Sequence, residues 1–228
     1  MTLVLPLSPT PFLEFPMRLS GLRLFLLSWA AVCGLTLTAA DGPTLTTPLV
    51  WKPTSLLSET TERINLTPFA NQKIALLPLV DNRKDKGLIG ENREKPYVRS
   101  VNTPDAVAPY VSAQLLNLMK ESGLPVTDKA DGATLVVSGE LLRFSVIEKE
   151  TYQGEFRALL QVQSGDKLVW KGMAVGRATR FGRSYKLENY HEVLSDCLVE
   201  AVSRLLSDQI FVSVLAGQAM MVAIPAAK

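Results

Sequence analysis

The sequence predicts an α+β fold: an antiparallel sheet of about four strands, including a three-stranded meander, with two helices packed on one face. Three observations predict it. Segments between residues 133 and 179 alternate apolar and polar side chains and are joined by short polar connections, which is the pattern of consecutive antiparallel strands. Two other segments, one ending near Ser122 and one starting near Asn189, repeat their apolar residues at helical spacing. Strands and helices come in separate runs rather than in strict alternation, which favours α+β over a parallel α/β sheet.

The chain of 228 residues, 47% hydrophobic and 20% charged, is long enough for one ordinary core. A formal charge of +2 gives no sign of a dedicated nucleic-acid binder. The expected organisation is a signal segment (1–40), a Thr/Pro-rich spacer (41–72), the α+β domain (73–216) and an apolar tail (217–228). Arg18 and Arg23 precede an uncharged apolar run, Leu24 to Leu37, which ends in Thr38-Ala39-Ala40 as a secretory signal does. The run is shorter than the roughly 20 residues that cross a bilayer as a helix, which favours cleavage over an uncleaved anchor. Met1 to Pro16 is Pro-rich and lacks a basic residue, so Met17 is the expected start.

Cys33 offers a second route, because bacterial lipoproteins are cut before a cysteine that becomes lipidated. Ala30 and Val32 depart from the Leu and the Gly or Ala which that cut prefers. Cys33 is therefore a lipidation site or a small hydrophobe inside a signal cut after Ala40. Both routes export the chain, either free in the periplasm or tethered on the periplasmic side of a membrane.

The spacer has no sustained period and holds at most a short strand near Leu49 to Trp51. Ile74 to Val80 is a buried-strand run that Pro78 pushes toward an edge or a bulge. Asp81 to Pro96 reads as a solvated charged loop. Thr103-Pro104-Asp105 opens a helix that is secure from Pro109 to Ser122, with Val111, Leu115, Leu118 and Met119 on one face and a Gly123 cap. In the next segment the apolar phase changes from odd (Leu135, Val137) to even (Leu142, Phe144, Val146), which places a bulge at Gly139. Phe156, Ala158, Leu160 and Val162 form the second long strand, and Ser164-Gly165-Asp166 turns into the third, Leu168 to Thr179. The closing helix is expected to start at Asn189, with Glu192 at capping-box spacing, and to run through Phe211 or Val212. Its stripe of Leu194, Cys197, Leu198, Ala201 and Leu205 makes Cys197 a core residue. The tail is too short to span a membrane and is expected to pack back on the domain.

Candidate chemistry is sparse. His191, the only histidine, is expected on the surface in the first turn of the closing helix. One histidine and one cysteine after the signal exclude a structural zinc site. Asp81, Asp85, Glu91 and Glu94 could offer oxygen ligands, but interleaved Arg83, Lys84, Lys86 and Arg93 oppose a cation, and the spacing is not that of an EF-hand. Arg177, Arg180, Arg183 and Lys186, with Phe181 and Tyr185 between them, could grip an anion, a lipid head group or an acidic partner, or could simply be a charged strand end in water. A hydrolase using Glu140 and Glu155 has no support from their spacing.

LLPLVDNRKDKGLIG, the helix end QLLNLMKESGLPV and the helix ENYHEVLSDCLVEAVSRLLSD together make the chain resemble the YajG-type bacterial lipoproteins over about Lys73 to Asp208. The resemblance implies an α+β envelope protein with no catalytic residues to carry over. The reading is a non-enzymatic exported protein that needs no cofactor and acts through a protein or membrane-associated partner, with no nucleic acid and with the oligomeric state open. The other reading is a soluble anion- or small-ligand-binding module.

Overall fold

The sheet is built around one strand that is too long for its neighbours. In the computed structural model, which describes residues 43–60 and 65–218, β7 (Leu135–Glu148) pairs along one side with β8 (Thr151–Ser164), which pairs in turn with β9 (Lys167–Phe181), all antiparallel. The other side of β7 is filled by short strands in succession. β2 (Ile74–Leu76), β3 (Val80–Asp81) and β4 (Leu88–Asn92) all run parallel to it. β6 (Val126–Thr127) extends the sheet beyond β2, while β5 (Arg99–Asn102) and β1 (Leu45–Thr46) extend it beyond β4.

The expected four-stranded antiparallel sheet with two helices is therefore overturned: the described residues form a mixed sheet of nine strands, with short helices beside the two long ones. The physical reason lies in strand length. β1, β3, β5 and β6 are two to four residues long, too short to show a period of two, and their places are set by the strands they pair with, β7 for β3, β4 for β5, β5 for β1 and β2 for β6, rather than by local pattern.

Pro78 interrupts the first run, since Leu76 pairs with Val137 and Val80 with Glu140, leaving one extra residue between β2 and β3. The bulge in β7 falls between Leu141 and Arg143 rather than at Gly139. Leu141 and Phe144 are buried on either side of it, and Leu142 is turned out toward solvent. Leu45–Thr46 is sheet, so the strand upstream of the domain lies earlier than Leu49 to Trp51.

A short helix, α1 (Leu57–Thr60), precedes β2; α2 (Val107–Glu121) holds Pro109 in its first turn, where the missing N–H is not needed. It ends in a Schellman motif, with Gly123 N–H donating to Lys120 O at 2.9 Å and Leu124 N–H to Met119 O at 3.2 Å. α3 (Leu187–Ser207) starts two residues earlier than expected, and its N-cap, Lys186, gives no side-chain bond, so Asn189 is not a cap. It also stops early. Asp208 leaves the helical conformation and its carboxylate accepts from Ile210 N–H at 2.9 Å and Phe211 N–H at 3.3 Å, starting a separate helix, α4 (Gln209–Leu215).

α3 lies across β7, β8 and β9 and touches α2, and one continuous apolar core runs beneath both helices. Its stripe of Leu194, Cys197, Leu198, Ala201 and Leu205 is buried. The helix sits so close to β9 that a Cβ at Gly176 would lie 1.8 Å from the carbonyl oxygen of Cys197 and 2.8 Å from the amide nitrogen of Ala201. Backbone cannot yield as a side chain can. Gly176→Ala is expected to cost about 3 kcal/mol by forcing helix and sheet apart, read as a lower urea midpoint at unchanged slope; a loss under about 0.5 kcal/mol would show that the contact is soft.

Candidate functional site

Strand register draws a polar row across one end of the sheet. Arg99 on β5 faces Asn92 on β4, Asn92 faces Glu148 on β7, Glu148 faces Tyr152 on β8, and Tyr152 faces Arg180 on β9. The first turns of α3 cover this row, which is why Asn92, Glu148 and Tyr152 are fully buried although two of them are polar and one is an acid.

A buried carboxylate has to be satisfied by hydrogen bonds. Glu148 accepts from the Tyr190 hydroxyl at 2.8 Å through one oxygen and from the Tyr185 amide at 2.8 Å through the other. Burial, and then the bond to Glu148, push the Tyr190 hydroxyl far above the usual phenol range, so it stays a donor. Tyr152 packs edge-on against Tyr190, ring centroids 5.2 Å apart, and its hydroxyl accepts from the Lys186 amide at 3.1 Å. The Tyr185 ring lies under the Arg99 guanidinium at 4.1 Å. Its hydroxyl is 3.1 Å from the Pro43 carbonyl and 3.0 Å from that of Ser100, donating to one or the other. Ser184 and Tyr185 both have positive φ, 104° and 56°, so the loop into α3 is held in a conformation such residues seldom adopt.

The four basic residues singled out in the sequence are not one patch. Arg177 pairs with Glu155 at 3.2 Å on the solvent face of β8, and Glu155 also pairs with Arg143 at 3.1 Å. Arg180 turns under α3 to the buried Glu192, which Lys52 also reaches at 3.3 Å. Arg183 sits 3.8 Å from the exposed Glu150, and Lys186 has no carboxylate within ion-pair reach among the described residues. Of the four, only Arg183 lines the cleft of about 560 Å³ formed by Arg93, Glu94, Lys149, Glu150, Thr151 and Gln153 at the same end of the sheet. Cys33 lies outside the described residues.

Other candidates are also relocated. His191 is buried rather than on the surface, because residues 47–55 run along α3 and cover it. Its Nε2 is 3.4 Å from the Thr47 hydroxyl, Ser195 accepts the Lys52 amide at 2.9 Å and Asp196 the Thr54 amide at 2.7 Å. The helical spacing of His191 with Leu194 and Leu198 is the sequence signal that places it on the packed side.

Arg83, in the loop expected to be solvated, is buried. It holds Asp81 through two bonds of 3.0 and 2.9 Å and donates to Leu88 O at 3.0 Å. Burial alone would raise the Asp81 carboxyl, but the Arg83 bonds outweigh it and hold the group below its usual range. No group of three or more His, Cys, Asp or Glu among the described residues could hold a metal ion. Glu140 accepts from Asn82 at 3.0 Å and faces Leu159, four positions and about 14 Å along the strand from Glu155, so the two acids do not converge. The Cys197 thiol is pushed up to about 12 by burial and is inert as a nucleophile.

No protein-family model matches the chain, and no curated protein sequence matches it. Among solved structures it is similar to protein XCC0632 from Xanthomonas campestris, at 9% identity over 77% of this chain and 99% of that one, with a TM-score of 0.52. More distant are the PelC dodecamer from Paraburkholderia phytofirmans (15% identity, 64% and 93% covered, TM-score 0.39) and lipoprotein GNA1162 from Neisseria meningitidis (12%, 60% and 99%, 0.34). The first is a likeness of fold alone, and the other two are too distant to bear on function.

Tyr190→Phe leaves one Glu148 oxygen buried without a donor and is expected to cost about 1–3 kcal/mol in urea unfolding; no loss would mean that water reaches the carboxylate. For His191, burial lowers the folded pKa below its ordinary value of 6.5, so the fold favours the neutral ring. Its contribution is complete above 6.5 and is lost as pH falls below that value, by at most about 1.4 kcal/mol per pH unit. Relative to His191→Asn, the native chain should therefore lose urea stability between pH 7 and 5; parallel profiles would refute this.

Proposed function

We propose that the chain is an exported, non-catalytic envelope protein of the YajG-like kind, held at or near a membrane by its leader and working through contact with a second protein. The observation that carries this reading is the free edge of β9. Fifteen residues, Lys167 to Phe181, pair with β8 on one side and with no strand among the described residues on the other. An open row of amide and carbonyl groups of that length invites a further strand. Lys167 and Lys171 stand along it with no acidic residue on the strand, so a second copy would bring like charges together, whereas an extended acidic segment of a partner would meet opposite ones. No helix among the described residues is long and apolar enough to cross a membrane.

The cleft beside Arg183 supports a second reading, an anion-binding module, because it gathers Arg93, Lys149 and Arg183 around one opening. There the structure redistributes the roles: Arg183→Ala should abolish phosphate retention in equilibrium dialysis, and Arg177→Ala, whose guanidinium is held by Glu155, should leave it unchanged.

Intact mass of the protein from membrane and soluble fractions of its native host tests export directly. A lipidated chain starting at Cys33, a membrane-bound chain keeping its leader, or a chain starting at Asp41 is expected; a full-length chain in the cytosol would sink the reading. A photo-crosslinking residue at Lys171 or Thr179 should then join a protein partner in the envelope. The same residue at Asp128, beyond β6 on the far side of the sheet, should not.

A further inference from the structure

Three loops meet at the end of the sheet that carries the polar row. Residues 93–98 join β4 to β5, residues 149–150 join β7 to β8, and residues 182–186 join β9 to α3. Their closeness is fixed by the Arg93 amide on the Glu148 carbonyl at 2.7 Å, by the Tyr185 amide on the Glu148 side chain, and by the cleft that takes side chains from all three.

Two properties of this end stand out. Its apolar side chains point into water: Phe181 is 87% exposed, with Tyr97 at 45% and Val98 at 46%. Its charge is positive. Arg93, Lys95, Lys149, Arg183 and Lys186 are exposed there; Arg93 is held by Glu91 at 2.8 Å and Arg183 sits 3.8 Å from Glu150, while Glu94 is engaged by Arg99 at 3.6 Å, so the lysines carry the excess. Lys95, Lys149 and Lys186 have no carboxylate within ion-pair reach among the described residues. Bare aromatic and aliphatic side chains ringed by lysines are the composition that seats on an anionic bilayer, where the rings enter the head-group layer and the ammonium groups meet lipid phosphates.

The path of the chain supplies the second, independent observation. Pro43, where the described chain begins, lies at this same end, its carbonyl 3.1 Å from the Tyr185 hydroxyl. Ten residues separate it from Cys33, a reach of at most about 35 Å when fully extended. A tether at Cys33, or in the apolar run around it, would bring this end of the domain toward the membrane before any other.

We propose that the end of the domain formed by loops 93–98, 149–150 and 182–186 is a membrane-facing surface, with Phe181 and Tyr97 entering an anionic lipid head-group layer and Lys95, Lys149 and Lys186 holding lipid phosphates. The proposal rests on the envelope reading above and orients the protein within it. The free edge of β9 then stands away from the bilayer along its length, with its Phe181 end at the lipid surface and its Lys167 end outermost.

The test uses the full chain purified from membranes and reconstituted into vesicles of phosphatidylcholine with or without phosphatidylglycerol, made from plain or brominated lipids. Phe181→Trp is introduced together with Trp29→Phe and Trp51→Phe, leaving Trp170 near the far end of β9 as a reference. The expected result is blue-shifted emission from position 181 that brominated lipid quenches in phosphatidylglycerol vesicles, and that Lys95→Ala, Lys149→Ala and Lys186→Ala together return to a water-exposed spectrum. Emission indifferent to bromine, or quenching that survives the three alanines, overturns the proposal. If intact mass shows a chain starting at Asp41, the same vesicles are mixed with that soluble form. It should float with phosphatidylglycerol vesicles and lose about a hundredfold in partitioning on the triple substitution; absence of flotation overturns the proposal. Intact mass reports on the tether and the vesicle readout on the surface, so failure of one is not mistaken for failure of the other.

Discussion

Glu148 is the group on which this end of the molecule depends. A carboxylate with no solvent exposure is tolerable only while its donors stay in place, and those donors belong to different parts of the chain: Tyr190 in α3 and Tyr185 in the loop before it. By needing both, the acid fixes where α3 begins and holds residues 184 and 185 in a conformation that their own backbone disfavours. Tyr185 passes the constraint on, because its ring and hydroxyl are used by Arg99, Ser100 and Pro43. One buried acid thus organises β5, β7, α3 and the entry of the chain.

Much of this was written in the sequence where segments were long and periodic. The alternation of Phe156, Ala158, Leu160 and Val162, the stripe through Leu194 and Cys197, and the Gly123 stop all report what each segment buries, and burial repeats with a local period. The short parallel strands left no such trace. Two residues such as Leu45–Thr46 or Val126–Thr127 have no period, and only the outer edges of β5 and β2 give them a place. The two ends of α3 are less legible for a related reason. Asn189 had the right spacing for a cap, but tertiary contacts of Tyr185 and Tyr190 decide the start, and Asp208, read as mid-helix, caps a second helix instead.

Charged residues were the least legible. Arg83, Glu148, His191 and Glu192 all look like surface residues in the chain, and all are buried. A charge buried by a partner far along the sequence looks the same, in one dimension, as a charge in water. The converse held for Arg177 and Arg180: close in sequence to Arg183, they point to opposite faces of the sheet and are neutralised there, so a cluster on paper becomes three separate environments. Only the Asp81-x-Arg83 spacing and the helical phase of His191 held a usable hint.

The stretch from Thr47 to Ser55 has a mechanical consequence. It is fastened to α3 by hydrogen bonds to His191 and Ser195, by three to Asp196 and by the ion pairs of Lys52 with Glu188 and Glu192, and to the sheet by the two-residue β1. A pull from upstream loads these fastenings in sequence, the Tyr185 bond at Pro43 first and β1 next, while the long strands beneath α3 carry none of it until the strap is spent. The strap would thus yield in steps before load reached the core.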